Sequence, residues 1–185
     1  MKRICVFCGS HSGSREAYSR SAESLGRALT QRDIELVYGG ASIGVMGVLA
    51  DTVIATGGTA IGIIPQSLVD KEIAHQGLSE LRVVETMHER KATMAALSDG
   101  FIALPGGIGT LEELFEILTF GQLGFHRKPC GLLNIEGYYD CLLDFLEHAV
   151  RESFVGEDQL RNLRVGAEAD YLLDSFEASL SKESL

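Results

Sequence analysis

With 185 residues, 45% of them hydrophobic, the chain can bury a substantial core and falls inside the size of one ordinary domain. Its formal net charge of −10, from 16 Lys and Arg against 26 Asp and Glu, excludes a general nucleic-acid surface, which needs clustered cations. A small anionic ligand stays possible, because a few local donors and one helix terminus suffice to hold it.

The N-terminus passes from Met1, Lys2 and Arg3 into ICVFCGS without a signal-peptide core, and no run of about twenty apolar residues predicts a membrane span. The expectation is a cytoplasmic chain whose cysteines, Cys5, Cys8, Cys130 and Cys141, stay reduced. Cys5 and Cys8 form a CxxC, but strand residues three apart point to opposite faces and no second pair at ligand spacing follows. They are read as small buried hydrophobes, with no metal and no cofactor expected.

Along the chain, RICVFCGS, IELVYGG, TAIGIIP, LRVVET, FIALPGG and KPCGLLN predict strands, nearly continuous in apolar residues as in a parallel sheet covered on both faces. Helical periods fall between them. The first runs from about Ser14 to Gln31, with Ala17, Ser21, Leu25, Ala28 and Leu29 on one stripe, and the second follows Gly44. MHERKATMAALSD, TLEELFEILTFGQL and YYDCLLDFLEHAVRE predict three more, and Ala167 to about Leu180 a last one. The alternation implies an α/β chain: an open parallel sheet flanked by helices on both faces, in one domain. The polar stretch Gly156 to Asn162 reads as a loop, and Gln66 to Glu80 as an irregular connection, either a lid or pocket wall or a short helix with no chemical role.

Ligands of such sheets bind beyond the carboxyl ends of the strands, where this chain places Gly9, then Gly39 and Gly40, then Gly106, Gly107 and Gly109. Neither the G-x-G-x-x-G fingerprint after the first strand nor the P-loop pattern occurs. PGGIGTLEE, Pro105 to Glu113, instead combines glycines with a helix start at Thr110, where free N–H groups can receive a phosphate. Thr110 with Glu113 also fits a capping box, which accounts for those two residues but not for three glycines in four positions. In MHERK, Arg90 shares an inward helical face with Met87, Met94 and Leu97, and calls for a partner: Glu89, Glu85 or a ligand anion. Thr86 with Glu89 fits a second capping box, and His88 reads as a helix-surface residue.

MHERK and PGGIGTLEE, together with CVFCGS, YGGASIGVMG, IGIIP and FGQLGFHRKPCGLLNIEGYYD, resemble the Lonely Guy (LOG) family of cytokinin-activating phosphoribohydrolases over nearly the whole chain. Members are often misannotated as lysine decarboxylases. The resemblance implies a Rossmann-like homodimer that hydrolyses cytokinin riboside 5′-monophosphates, with bacterial members commonly also accepting AMP. It makes Arg90 and Glu113 the catalytic pair. It has Lys91 and the segment Gly106, Gly107, Ile108, Gly109, Thr110, Leu111 and Glu112 contact the nucleotide, with Glu72 as a further substrate-binding residue and Gly9 and Ser10 lining the pocket. Ile108 stands where many plant members carry an aromatic.

The chemistry suits these residue types. Cleaving C1′–N9 builds positive charge on the ribose while the base leaves as an incipient anion, so a carboxylate stabilises the sugar or activates water, and an arginine braces the substrate or the departing base. A pyridoxal-dependent decarboxylase lacks its parts here beyond a candidate lysine. The rival from another class is a nucleotide or cofactor carrier that binds without turnover.

Overall fold

The computed structural model describes residues 1–71 and 74–183. Seven strands form one parallel sheet: β1 (Arg3–Phe7), β2 (Glu35–Tyr38), β3 (Ala60–Pro65), β4 (Glu80–Val84), β5 (Gly100–Ala103), β6 (Cys130–Leu133) and β7 (Leu163–Gly166). The helices are α1 (Glu16–Gln31), α2 (Gly44–Ala55), α3 (Gln66–Val69), α4 (Met87–Leu97), α5 (Ile108–Gln122), α6 (Asp140–Arg151), α7 (Glu157–Asn162) and α8 (Ala169–Glu183), with a 3-10 turn at Ile135–Gly137.

The sheet order is β4-β3-β2-β1-β5-β6-β7, so the chain steps outward from β1 to one edge and returns to lay β5 on the other side of β1. Ile4 pairs in register with both Leu36 and Gly100. The gap between β1 and β5 is therefore the topological switch point, where loops diverge and leave a crevice at the carboxyl edge.

Alternate residues of each strand feed two cores. Ile4, Val6, Leu36 and Ile102 pack with Leu25, Leu29, Leu49, Val53, Leu172 and Phe176 from α1, α2 and α8. Cys5, Phe7, Val37, Ile61 and Phe101 pack on the other face with Met94, Leu114, Ile117 and Leu146 from α4, α5 and α6. Cys5 and Cys8 lie buried in opposite clusters, and desolvation pushes both thiols well above their ordinary range.

One expectation needs correction. The segment read as a loop, Gly156 to Asn162, holds α7, and a seventh strand follows it. In β7, Leu163 is buried but the remaining residues are half-exposed at the sheet edge, so LRVG lacks the apolar run that marks a central strand. The Gln66 to Glu80 connection opens with α3 and is then pinned: Ala74 bridges Ala41, and the His75 amide donates to the Gly40 carbonyl at 2.9 Å. The His75 ring accepts from the Gly77 amide through Nδ1 at 3.0 Å, which leaves Nε2 to donate to Asp51 at 3.0 Å. Glu72 lies outside the described residues.

Candidate active site

The carboxyl ends of β1 and β5 are sewn together, with the Leu104 amide donating to the Phe7 carbonyl at 2.9 Å and the Gly9 amide to the Pro105 carbonyl at 3.2 Å. Above this seam opens a cleft of about 610 Å³. Gly9, Ser10, Arg90, Gly106, Gly107, Ile108, Gly109, Thr110 and Glu113 all line it, brought there from three separate stretches of chain. Lys91, Leu111 and Glu112 do not line it. A second cavity, about 640 Å³, sits at the opposite edge beside the first residues of β6 and β7, and none of the sequence-predicted site residues lines it.

The cleft floor carries a buried ion pair. Arg90 is 8% and Glu113 9% exposed, and Arg90 Nη1 approaches Glu113 Oε1 to 3.1 Å. Arg90 Nε donates to the Ile63 carbonyl at 3.0 Å and Nη1 lies 3.2 Å from Met87 Sδ. The partner of Arg90 is thus neither Glu89 nor Glu85. Glu89 accepts the Glu85 amide at 2.9 Å while Thr86 Oγ1 accepts the Glu89 amide at 3.0 Å, so the cap forms with its return bond one residue earlier than a standard box.

At α5 the capping-box expectation fails, because the helix begins at Ile108 with Gly107 as its N-cap, and no side chain caps it. Thr110 and Glu113 are then interior helix residues, and Glu113 is free to face Arg90. The amides of Ile108, Gly109 and Thr110 have no carbonyl within the helix to bond, which leaves donors at the cleft wall. Burial raises the Glu113 carboxyl above its ordinary range; the nearby Arg90 pulls the other way without cancelling it.

The glycines of this turn divide into two kinds. A Cβ on Gly106 would fall 2.1 Å from Thr110 Oγ1 and 2.9 Å from the Gly9 amide nitrogen, so packing alone requires that glycine. A Cβ on Gly107 or Gly109 would meet nothing within 4 Å, and neither residue has a positive φ. Among the described residues, no contact or backbone demand accounts for them.

Lys91, one residue beyond Arg90 and so turned about 100° around α4, binds Glu112 at 2.5 Å and Glu116 at 2.9 Å. Those carboxylates, Glu112 first, raise its pKa. Two adjacent cations of α4 thus grip two sides of α5, one inside the cleft and one outside its lining.

Sequence reasoning missed His11, Tyr18, Met46 and Tyr138, which also line the cleft. Met46 sits in the first turn of α2, immediately after a glycine turn at the carboxyl edge, which is the signal that marks it. Tyr138 and Tyr139 follow β6 at the same edge. Their hydroxyls donate to the Gly106 carbonyl at 2.5 Å and the Leu104 carbonyl at 2.6 Å.

Residues 46–176 match the family model described as "possible lysine decarboxylase". The cytokinin riboside 5′-monophosphate phosphoribohydrolase LOG of Oryza sativa subsp. japonica is 52% identical over 86% of this chain and 66% of its own length. LOG5 of Arabidopsis thaliana, named for the same activity, is 52% identical over 96% of this chain and 78% of its own. Among solved structures, a molybdenum cofactor binding protein from Rippkaea orientalis superposes with a TM-score of 0.74 at 21% identity, covering 97% of this chain and 98% of that one. The molybdenum cofactor carrier protein of Chlamydomonas reinhardtii gives 0.74 at 20% identity with the same coverage. At that identity the likeness is one of fold and carries no ligand across.

Proposed function

The chain belongs to the LOG family, and from that premise we propose that it hydrolyses the N-glycosidic bond of cytokinin riboside 5′-monophosphates and AMP, releasing the base and ribose 5-phosphate. The observation that carries this reading is the buried Arg90–Glu113 pair on the cleft floor beside a turn whose Gly107 and Gly109 face open space. A buried ion pair is a poor stabiliser, because desolvating two charges offsets their attraction. Its place in the cleft argues for chemistry.

In the proposed reaction the 5′-phosphate sits on the amides that open α5, fixing C1′ over Glu113. As C1′–N9 lengthens, its electron pair departs with the purine and positive charge grows on the ribose. Ionised Glu113 stabilises that charge and takes a proton from the attacking water, whose oxygen bonds to C1′; the proton passes on to the departing base. Arg90 holds the carboxylate in place through Nη1, and its own position is fixed by the Ile63 carbonyl.

Gly9, Ser10, Gly106, Ile108 and Thr110 shape the wall in this proposal. Lys91, Leu111 and Glu112 act from outside the lining, Lys91 by locking α4 to α5. Glu72 keeps the substrate-binding role that its motif position implies. We further propose a cytoplasmic homodimer. Its support is the apolar surface of α4, α5 and the residue that ends α5, where Met87, Ile108, Phe120 and Leu123 are exposed, together with four free cysteines that suit a reducing compartment. Among the described residues, no helix is long and apolar enough to cross a membrane.

Incubation with AMP and with isopentenyladenosine monophosphate, followed by chromatography, tests the reaction: free base and ribose 5-phosphate are expected from both. Recovery of both nucleotides intact would instead identify a carrier. Light scattering tests the assembly, with Leu123→Glu expected to give monomers.

A further inference from the structure

We propose that Tyr138 and Tyr139 brace the turn between β5 and α5, and that Tyr138 is a positioning residue which strengthens that turn's grip on the phosphate of the substrate. The inference rests on the nucleotide-hydrolase reading for its ligand, but the brace itself is a matter of geometry. Two consecutive tyrosines reach 32 and 35 residues back along the chain to donate to two carbonyls of one turn, Gly106 and Leu104.

The loop that delivers them is built for the purpose. Glu136, at φ 49, and Gly137, at φ 72, both adopt the left-handed conformation, and for Glu136 that is a strained state that the surroundings must hold. Arg15 pairs with Glu136 at 3.0 Å, Asn134 Oδ1 accepts the Tyr139 amide at 2.8 Å, and Asn134 Nδ2 donates to Asp140 at 2.7 Å. The Tyr138 ring, though 42% exposed, stands edge-on to Tyr18 at 5.5 Å and to Tyr139 at 4.9 Å, contacts that favour the orientation in which its hydroxyl meets the turn. Burial keeps the Tyr139 hydroxyl a neutral donor far above its usual titration range.

The two bonds differ in what they do. The Gly106 carbonyl and the Gly107 amide share one planar peptide, so a donor on the oxygen polarises the N–H on the other side and makes it the better partner for an anion. The Leu104 carbonyl belongs to the peptide of Pro105, which has no N–H to sharpen. Tyr139 therefore only fixes the turn's position, whereas Tyr138 both fixes it and tunes a donor beside the open space at Gly107.

The test uses Tyr138→Phe and Tyr139→Phe, each keeping its ring. For Tyr138→Phe, KM for AMP is expected to rise about threefold, the loss typical of one neutral hydrogen bond and the polarisation it lends the next amide, with kcat unchanged within error. Calorimetric affinity for ribose 5-phosphate should fall by the same factor, and the preference for AMP over adenosine should shrink. Tyr139→Phe leaves the Leu104 carbonyl without its partner and should lower the melting temperature more than Tyr138→Phe does. Unchanged ribose 5-phosphate binding in Tyr138→Phe overturns the proposal, as does a fall in kcat with KM unmoved. If the parent cleaves neither nucleotide yet binds ribose 5-phosphate more tightly than Tyr138→Phe, the hydrolase reading fails and the brace stands.

Discussion

The glycine turns after β2 and after β5 look alike in sequence and end at the same edge of the sheet, yet Gly39 in the first and Gly107 and Gly109 in the second leave room for different things. At Gly39 a Cβ would lie 2.1 Å from Arg90 Nη2, so that glycine makes room for the protein's own guanidinium. At Gly107 and Gly109 a Cβ would meet nothing, and the space they leave belongs to whatever enters the cleft. One turn makes room for the Arg90–Glu113 pair from behind, and the other leaves space open to the cleft. The lesson is that a glycine cluster signals a close approach, and only its surroundings say by what.

Substitutions can break this division. The largest effect is expected at the pair itself: Glu113→Gln, isosteric and still able to accept from Arg90, should lower kcat by about 10³-fold or more while circular dichroism stays that of the parent. A full rate in that variant would end the enzymatic assignment. Gly39→Ala should follow, lowering kcat by about 10²-fold because the methyl displaces the guanidinium that orients Glu113.

On the ligand side, Gly107→Ala is compatible with the residue's φ of −91°, so folding should be untouched. KM for AMP should nevertheless climb about tenfold, with activity on adenosine little changed, if the methyl crowds an incoming phosphate. An unaltered KM would place the anion elsewhere. The smallest effect is expected at Lys91→Met, which loosens α4 from α5 without touching the cleft and should cost less than about tenfold in kcat/KM.

The pH profile sharpens the same picture. A base must be ionised, so kcat/KM should fall as pH drops through the Glu113 pKa. Because burial raises that pKa above 4.5, the acid limb should lie above the usual glutamate range and disappear in Glu113→Gln. A limb at or below the usual range would mean that the carboxyl is better solvated than its burial implies.

The sequence by itself determined the parallel α/β architecture and most of its elements, because strands covered on both faces must be apolar throughout and the helices between them must carry a stripe. It also marked PGGIGTLEE and MHERK as the candidate site segments, since glycines beside a helix start and an arginine on an inward face are each hard to explain locally. The resemblance had named Arg90 and Glu113 together, but only the tertiary structure decided that Arg90 contacts Glu113 directly and not Glu85 or Glu89: the partner comes from the neighbouring helix, and spacing along one helix carries no information about that distance. It alone separated Gly106, required by Thr110, from Gly107 and Gly109, and added an edge strand, Leu163–Gly166, whose half-exposed residues leave no apolar run to read. It alone brought Tyr138 and Tyr139 onto a turn more than thirty residues earlier in the chain, because β6 lies beside β5 in the sheet and their loops open at the same edge.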